Sequence, residues 1–224
     1  SMLRSIDNQK IVLSSHEIAT RTVKKLPLKL HVNYYRKTRF KQIPLYVGTP
    51  LEVQILELKE GAYNYRFNVE YIDDSKCRIF YEGNDDTPAF SMIAPFDEEI
   101  NEKRFRIKLV KTKDYSPKFM PFTFYFLSDD QLLGSFHGRV SSALRDDASS
   151  VLSITMSGPD PSRDSEYLKV LLEEFQSYNL VLKNQQADLT LNFIDRQLKI
   201  ITDSMNISRT TLDNFQKETG LYAG

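Results

Sequence analysis

Val151-Leu152-Ser153-Ile154-Thr155-Met156 is followed by Ser157-Gly158-Pro159-Asp160-Pro161, and from Ser162 to Thr219 the chain holds neither glycine nor proline. The first stretch alternates apolar and small polar residues, the period of a strand. Gly-Pro-Asp-Pro is turn chemistry, and a proline at the first helical position already has the φ that a helix needs. The uninterrupted stretch after it predicts one very long helix, on the order of 85 Å at about 1.5 Å per residue. A compact domain does not cover such a rod, so part of it is expected to meet partners elsewhere.

Two heptad seams run along this helix. Leu168, Leu171, Phe175, Tyr178, Leu182, Gln185 and Leu189 step by three and four, and so do Leu191, Ile194, Leu198, Ile201, Met205, Ser208, Leu212 and Phe215. The series are out of phase between Leu189 and Leu191, so the apolar face is read as changing direction there. The first half is expected to pack on its own domain. The second half is expected to meet another helix, a neighbouring subunit, or chain outside this segment; a bend in a wholly intramolecular helix is the alternative. Ile194, Leu198, Ile201, Met205, Leu212 and Phe215 are the candidate oligomer contact. Each such side chain is worth about 1.5–3 kcal/mol when fully covered, and a bare row of them is adhesive.

Upstream, the period changes to two. Leu51, Val53 and Ile55 alternate with Glu52 and Gln54. Tyr63, Tyr65, Phe67, Val69 and Tyr71 alternate with polar residues, and Phe105, Ile107 and Leu109 alternate with Arg104, Arg106 and Lys108. Leu28 to Tyr34 and Phe122 to Phe126 read as strands in the same way. One apolar and one charged face per strand is the mark of antiparallel sheets with a wet side, and a series of them predicts a β-sandwich. The span Gln131 to Ser150 stays open. At the N-terminus, Ser14-x-x-Glu17 fits a capping box, with Ile18, Thr22, Val23 and Leu26 on one helical face and Pro27 as its stop.

The predicted fold is therefore α+β: a discontinuous α/β base with a very long C-terminal helix, plus an inserted antiparallel β-sandwich. Residues 1–30 form the N-terminal helix and first strand of the base, 31–148 the sandwich, and 149–224 the last strand and the long helix.

Thirty basic and thirty acidic residues cancel in 224. That balance gives no basic footprint for nucleic acid. No apolar run approaches the roughly 18 residues that cross a bilayer. Ser1-Met2 reads as a cloning remnant, so the chain is taken as an excised piece, and the lone Cys77 excludes an internal disulfide.

The ordered elements resemble the Wzz-type chain-length determinants, the bacterial polysaccharide co-polymerases, and among them the class fused to a tyrosine autokinase. The resemblance is carried by the strand Val151 to Met156, the turn Asp160-Pro161, Tyr167-Leu168, Phe175-x-x-Tyr178-Asn179, Lys183, Ala187 and Leu191-x-Phe193-Ile194-x-x-Gln197-Leu198. It covers about 90 of 224 residues, and Arg209 departs from the acidic residue common there. It implies a periplasmic region held to the bacterial inner membrane by flanking helices outside this segment. It further implies homo-oligomers that work with the polysaccharide polymerase and the outer-membrane export channel, setting the length of capsular polysaccharide, exopolysaccharide or O-antigen. Any kinase chemistry would sit elsewhere in the parent.

Chemistry of other kinds is sparse. His16, His31 and His137 have no metal-ligand spacing, and no nucleophile elbow, phosphate loop or CxxC is present. No catalytic, cofactor or metal residue is assigned, and the segment is read as a scaffold, not an enzyme. Asp160, Asp164 and Glu166 suit a helix N-terminus, where carboxylates are favoured. Between Glu17 and Glu52 there is no acidic residue. That run makes Arg36, Lys37, Arg39 and Lys41 a candidate patch for anionic lipid or a lipid-linked glycan, against the plainer reading that acids from other segments neutralise it. Tyr63, Tyr65 and Tyr71 are read as sandwich core, and a sugar-stacking face as the weaker idea. The rival functions are a periplasmic adaptor of an efflux or secretion pump, and a carbohydrate-binding β-sandwich protein.

Overall fold

The short polar loops between α1 (Met2–Leu13) and α2 (His16–Lys25) are settled by two adjacent serines. Ser14 Oγ donates to Lys10 O at 2.8 Å and closes α1, while Ser15 accepts from Ile18 N and caps α2. The cap is thus one residue later than the Ser14-x-x-Glu17 pattern suggested. Ser14 is taken up by the orphan carbonyls of the preceding helix. The computed structural model describes residues 2–38, 41–59, 61–83, 88–117, 121–145 and 151–219.

Pro27 turns the chain into a 3-10 segment, Leu28–His31, so the first strand, β1 (Val32–Lys37), starts four residues later than its alternation implied. There follow β2 (Gln42–Leu45), β3 (Leu51–Leu58), β4 (Phe67–Asp73), β5 (Lys76–Tyr81), β6 (Phe90–Pro95), β7 (Glu99–Asn101), β8 (Phe105–Lys111) and β9 (Phe122–Phe126). Then come α3 (Asp129–Phe136), β10 (Val140–Leu144), β11 (Leu152–Met156) and α4 (Pro161–Thr219). The span left open by the sequence is thus a capped helix, with Ser128 and Gln131 forming a capping box, followed by an edge strand.

The protein is α+β, with antiparallel sheets and a long C-terminal helix. One sheet has the order β2-β1-β9-β4-β5-β6, a second β3-β8-β7, and β10 pairs with β11. Phe67, Phe122, Phe124 and Phe126 from the first sheet share one core with Leu51, Val53, Phe105, Ile107 and Leu109 from the second. Rings at 5–6 Å dominate it: Phe67 stacks on Phe124 at 5.3 Å and meets Phe105 edge-on at 5.1 Å. Such pairs add about 0.5–1.5 kcal/mol each beyond area burial. Tyr63 and Tyr65 pack on the edge of this core, but from a 3-10 turn (Ala62–Asn64) and the linker to β4, not from the strand itself. That turn follows Gly61, whose φ of 91° is one that side chains rarely adopt. Tyr71 lies outside the core cluster; its hydroxyl donates to Asp74 at the β4–β5 turn.

A separate buried set comes from the helices: Leu13, Ile18, Val23, Leu132, Phe136, Tyr167 and Leu171. Phe136 of α3 stacks on Tyr167 of α4 at 4.5 Å. By its contacts the chain forms two units, the first ending at Glu174 and the second beginning at Phe175, within α4. The second is helix throughout its described residues, and every residue from Leu180 to Glu218 is exposed. Among the described residues no helix is long and apolar enough to cross a membrane.

Candidate interaction surface

The six seam residues all lie on exposed helix: Ile194 44%, Leu198 56%, Ile201 54%, Met205 67%, Leu212 56% and Phe215 57%. At about 100° per residue they fall in one stripe with Leu191. Leu182, Leu189, Phe193, Ile200 and Ile207 are exposed too, and at the same pitch they form a second stripe about 130° further round the axis. Sequence reading had the apolar face change direction after Leu189. On the single helix Pro161–Thr219 the first face instead continues while a second joins it. The missed signal is the sevenfold step from Leu182 to Leu189 and from Phe193 through Ile200 to Ile207. Asp188, Asp195, Lys199, Asp203, Asp213 and Lys217 occupy the remaining sector. One seam serves one neighbouring helix; two seams at this angle serve two.

Among its described residues the basic run is divided between elements. Arg36 and Lys37 end β1 and Lys41 precedes β2; all three are exposed. Arg36 and Lys37 are consecutive in a strand and so start toward opposite faces of the sheet. Arg39 lies outside the described residues. Arg21, Lys25 and Lys29 of the run are met by acids from α4. Glu174, buried, accepts from Lys25 and from Arg21 Nε at 3.4 Å, and Glu166 pairs with Lys29 at 2.8 Å. These carboxylates tie α2 and the turn after it to the start of α4.

Asp160 and Asp164 are both buried, and each has its own task. Asp160 Oδ1 accepts from Arg163 N at 3.2 Å, satisfying an orphan donor of the first turn of α4. Asp164 takes a forked pair from Arg139, Nη1 to Oδ2 at 2.9 Å and Nη2 to Oδ1 at 2.7 Å. Arg163 reaches the sandwich, donating to Asn33 Oδ1 and to Leu30 O. Burial lowers its pKa, and Asp160 is first among the neighbours that raise it again. Gly158 is required here. A Cβ built on it lies 1.5 Å from Arg139 Nη1 and 2.3 Å from Asp164 Oδ2.

Folding brings two histidines together: the His16 and His137 rings meet edge-on at 6.1 Å. His31 is buried, with Nδ1 3.2 Å from Leu127 O. Among the described residues no three His, Cys, Asp or Glu side chains are placed to hold a metal ion. Cys77 is buried, which pushes its thiol up to about 12, out of the nucleophilic range.

No family model matches the sequence, and a comparison with curated proteins returns no match. Fold and surface together define an α+β protein that presents a long, two-seamed helix.

Proposed function

We propose that this segment is the periplasmic scaffold of a polysaccharide co-polymerase. In this reading it is held to the inner membrane by helices outside the segment and associates with copies of itself. With the polymerase and an outer-membrane export channel, the assembly sets the length of the exported polysaccharide. The observation that carries the reading is the exposed pair of seams on α4. A helix with two apolar stripes is satisfied by a neighbour on each side. The first seam of one copy against the second seam of the next is a head-to-tail contact, and such contacts generate rings when the rotation closes. The segment then acts by assembly, and its neutral net charge leaves no self-repulsion to overcome. Its sandwich is inserted between helical segments, whereas pump adaptors carry a helical hairpin within a small β-barrel; that order favours the co-polymerase.

Cysteine cross-linking in cells that make the full-length protein tests this directly. Cys77 is buried, so this segment's own cysteine adds little background. A chain carrying both Leu198→Cys and Ile200→Cys should cross-link into a ladder beyond the dimer, and polymer length should shift when the seams are broken. A ladder that stops at dimer, or an unchanged length distribution, rejects the scaffold.

A further inference from the structure

Three cavities of the first unit run into one another where the sandwich meets the start of α4. The largest, about 540 Å³, is lined by Asn33, Tyr125, Gln131, Arg139, Asp160 and Arg163, among others. It shares Tyr46, Asp160 and Arg163 with a second of about 220 Å³, and Tyr125 and Gln131 with a third of about 320 Å³. Sharing these walls, the three are read together as one groove.

Its lining has a particular chemistry. Tyr34 stacks on Phe122 and its hydroxyl accepts from Val53 N, whereas Tyr46, Tyr63, Tyr65 and Tyr125 line the groove with apolar rings that end in a hydroxyl. Between them stand planar amides and guanidinium–carboxylate pairs, which donate and accept side by side. Ring faces against C–H groups and paired polar atoms against vicinal hydroxyls are what a pyranose chain offers in return. A phosphate does not suit the helix start, because Asp160 and Asp164 already occupy it.

Charge varies along the groove. In the middle Arg139 and Arg163 are balanced by Asp164 and Asp160, and the second cavity adds Glu52 and the Lys29–Glu166 pair, so that end does not favour an acid. In the third cavity, Arg66 is the charged residue of the lining. Its guanidinium lies over the stacked rings of Tyr35 and Tyr125, at 5.8 and 5.6 Å, and donates to the neutral Gln42. Among the described residues it pairs with no carboxylate. We infer that this groove binds a stretch of acidic polysaccharide several sugars long, with a uronate carboxylate at Arg66.

The test is an NMR titration of the isotope-labelled chain with galacturonic acid, its hexamer, and the uncharged maltohexaose. The acidic hexamer should shift amides around Tyr46, Arg66 and Tyr125, and bind at least tenfold more tightly than the monosaccharide and than maltohexaose. Tyr46 and Arg66 are both exposed, so Tyr46→Ala and Arg66→Ser should leave the melting temperature unchanged. Tyr46→Ala should weaken the acidic hexamer at least fivefold, and Arg66→Ser should erase its advantage over maltohexaose. Absence of binding at millimolar hexamer, equal binding of the two hexamers, or full binding by both variants overturns the inference. Self-association of α4 is measured with no glycan present, so the groove and the scaffold stand or fall separately.

Discussion

Gly158→Ala adds one methyl group in the turn before α4. Gly158 has no unusual φ that alanine must avoid, so the effect is steric. The new Cβ would sit 1.5 Å from Arg139 Nη1 and 2.3 Å from Asp164 Oδ2, distances no neighbour tolerates. The guanidinium must leave, and Asp164 loses its forked partner. The Asp164 side chain is 7% exposed and that of Arg139 28%. Stripping one partner from a buried pair costs about 3–5 kcal/mol, and the partial exposure of Arg139 reduces that to about 2–4 kcal/mol. For a unit of this size the melting temperature should fall by roughly 5–15 °C. The assay is thermal and urea unfolding of four chains: wild type, Gly158→Ala, the Arg139→Ala/Asp164→Ala double variant, and all three changes together. With both side chains removed the three nearest atoms are gone, so Gly158→Ala should cost less than about 0.5 kcal/mol in that background. A full cost there would show that the glycine serves the backbone, and the steric argument would be wrong.

Three further outcomes follow from named groups. Leu198→Ser with Ile201→Ser removes two half-exposed side chains from the first seam; counting both partners of each contact, association should weaken by about 3–6 kcal/mol, or about 10²–10⁴-fold. Sedimentation equilibrium checks this, and equal association of variant and wild type contradicts it. Burial raises Tyr34 and Tyr167 from 10.0, and Cys77 from 9.0, each to about 12. Their contribution to stability is complete below pH 9 and is lost as pH rises toward 12; urea midpoints should be flat up to pH 9 and fall above it, and tyrosinate absorbance at pH 10 from these residues would refute the burial. Asp73 is lowered from 3.8 to about 2, first by the Ser75 hydroxyl and then by the Ser75 N–H. Its stabilising effect is present above pH 3.8 and lost as pH falls through about 2, and Ser75→Ala should return its NMR-titrated pKa toward 3.8.

Local periodicity made much of this architecture legible. Phe122, Phe124 and Phe126, like Leu51, Val53 and Ile55, declare a buried face because alternation is a property of neighbouring residues. The long helix is equally local: nothing from Ser162 to Thr219 interrupts it. Tertiary structure decided what depends on residues distant in sequence. Ser14 and Ser15 were both eligible caps, and only the presence of α1 assigned one to each helix. The acids that meet Lys25 and Lys29 lie in α4, about 140 residues on, so part of the basic run is neutralised by residues that reading along the chain does not bring near it. The groove was illegible for the same reason. Arg66, Tyr125, Gln131 and Arg163 come from four separate segments, and β9 beside both β1 and β4 is what places them together. Sequence determines which faces are apolar; the non-local pairing of strands determines which polar residues share a cavity.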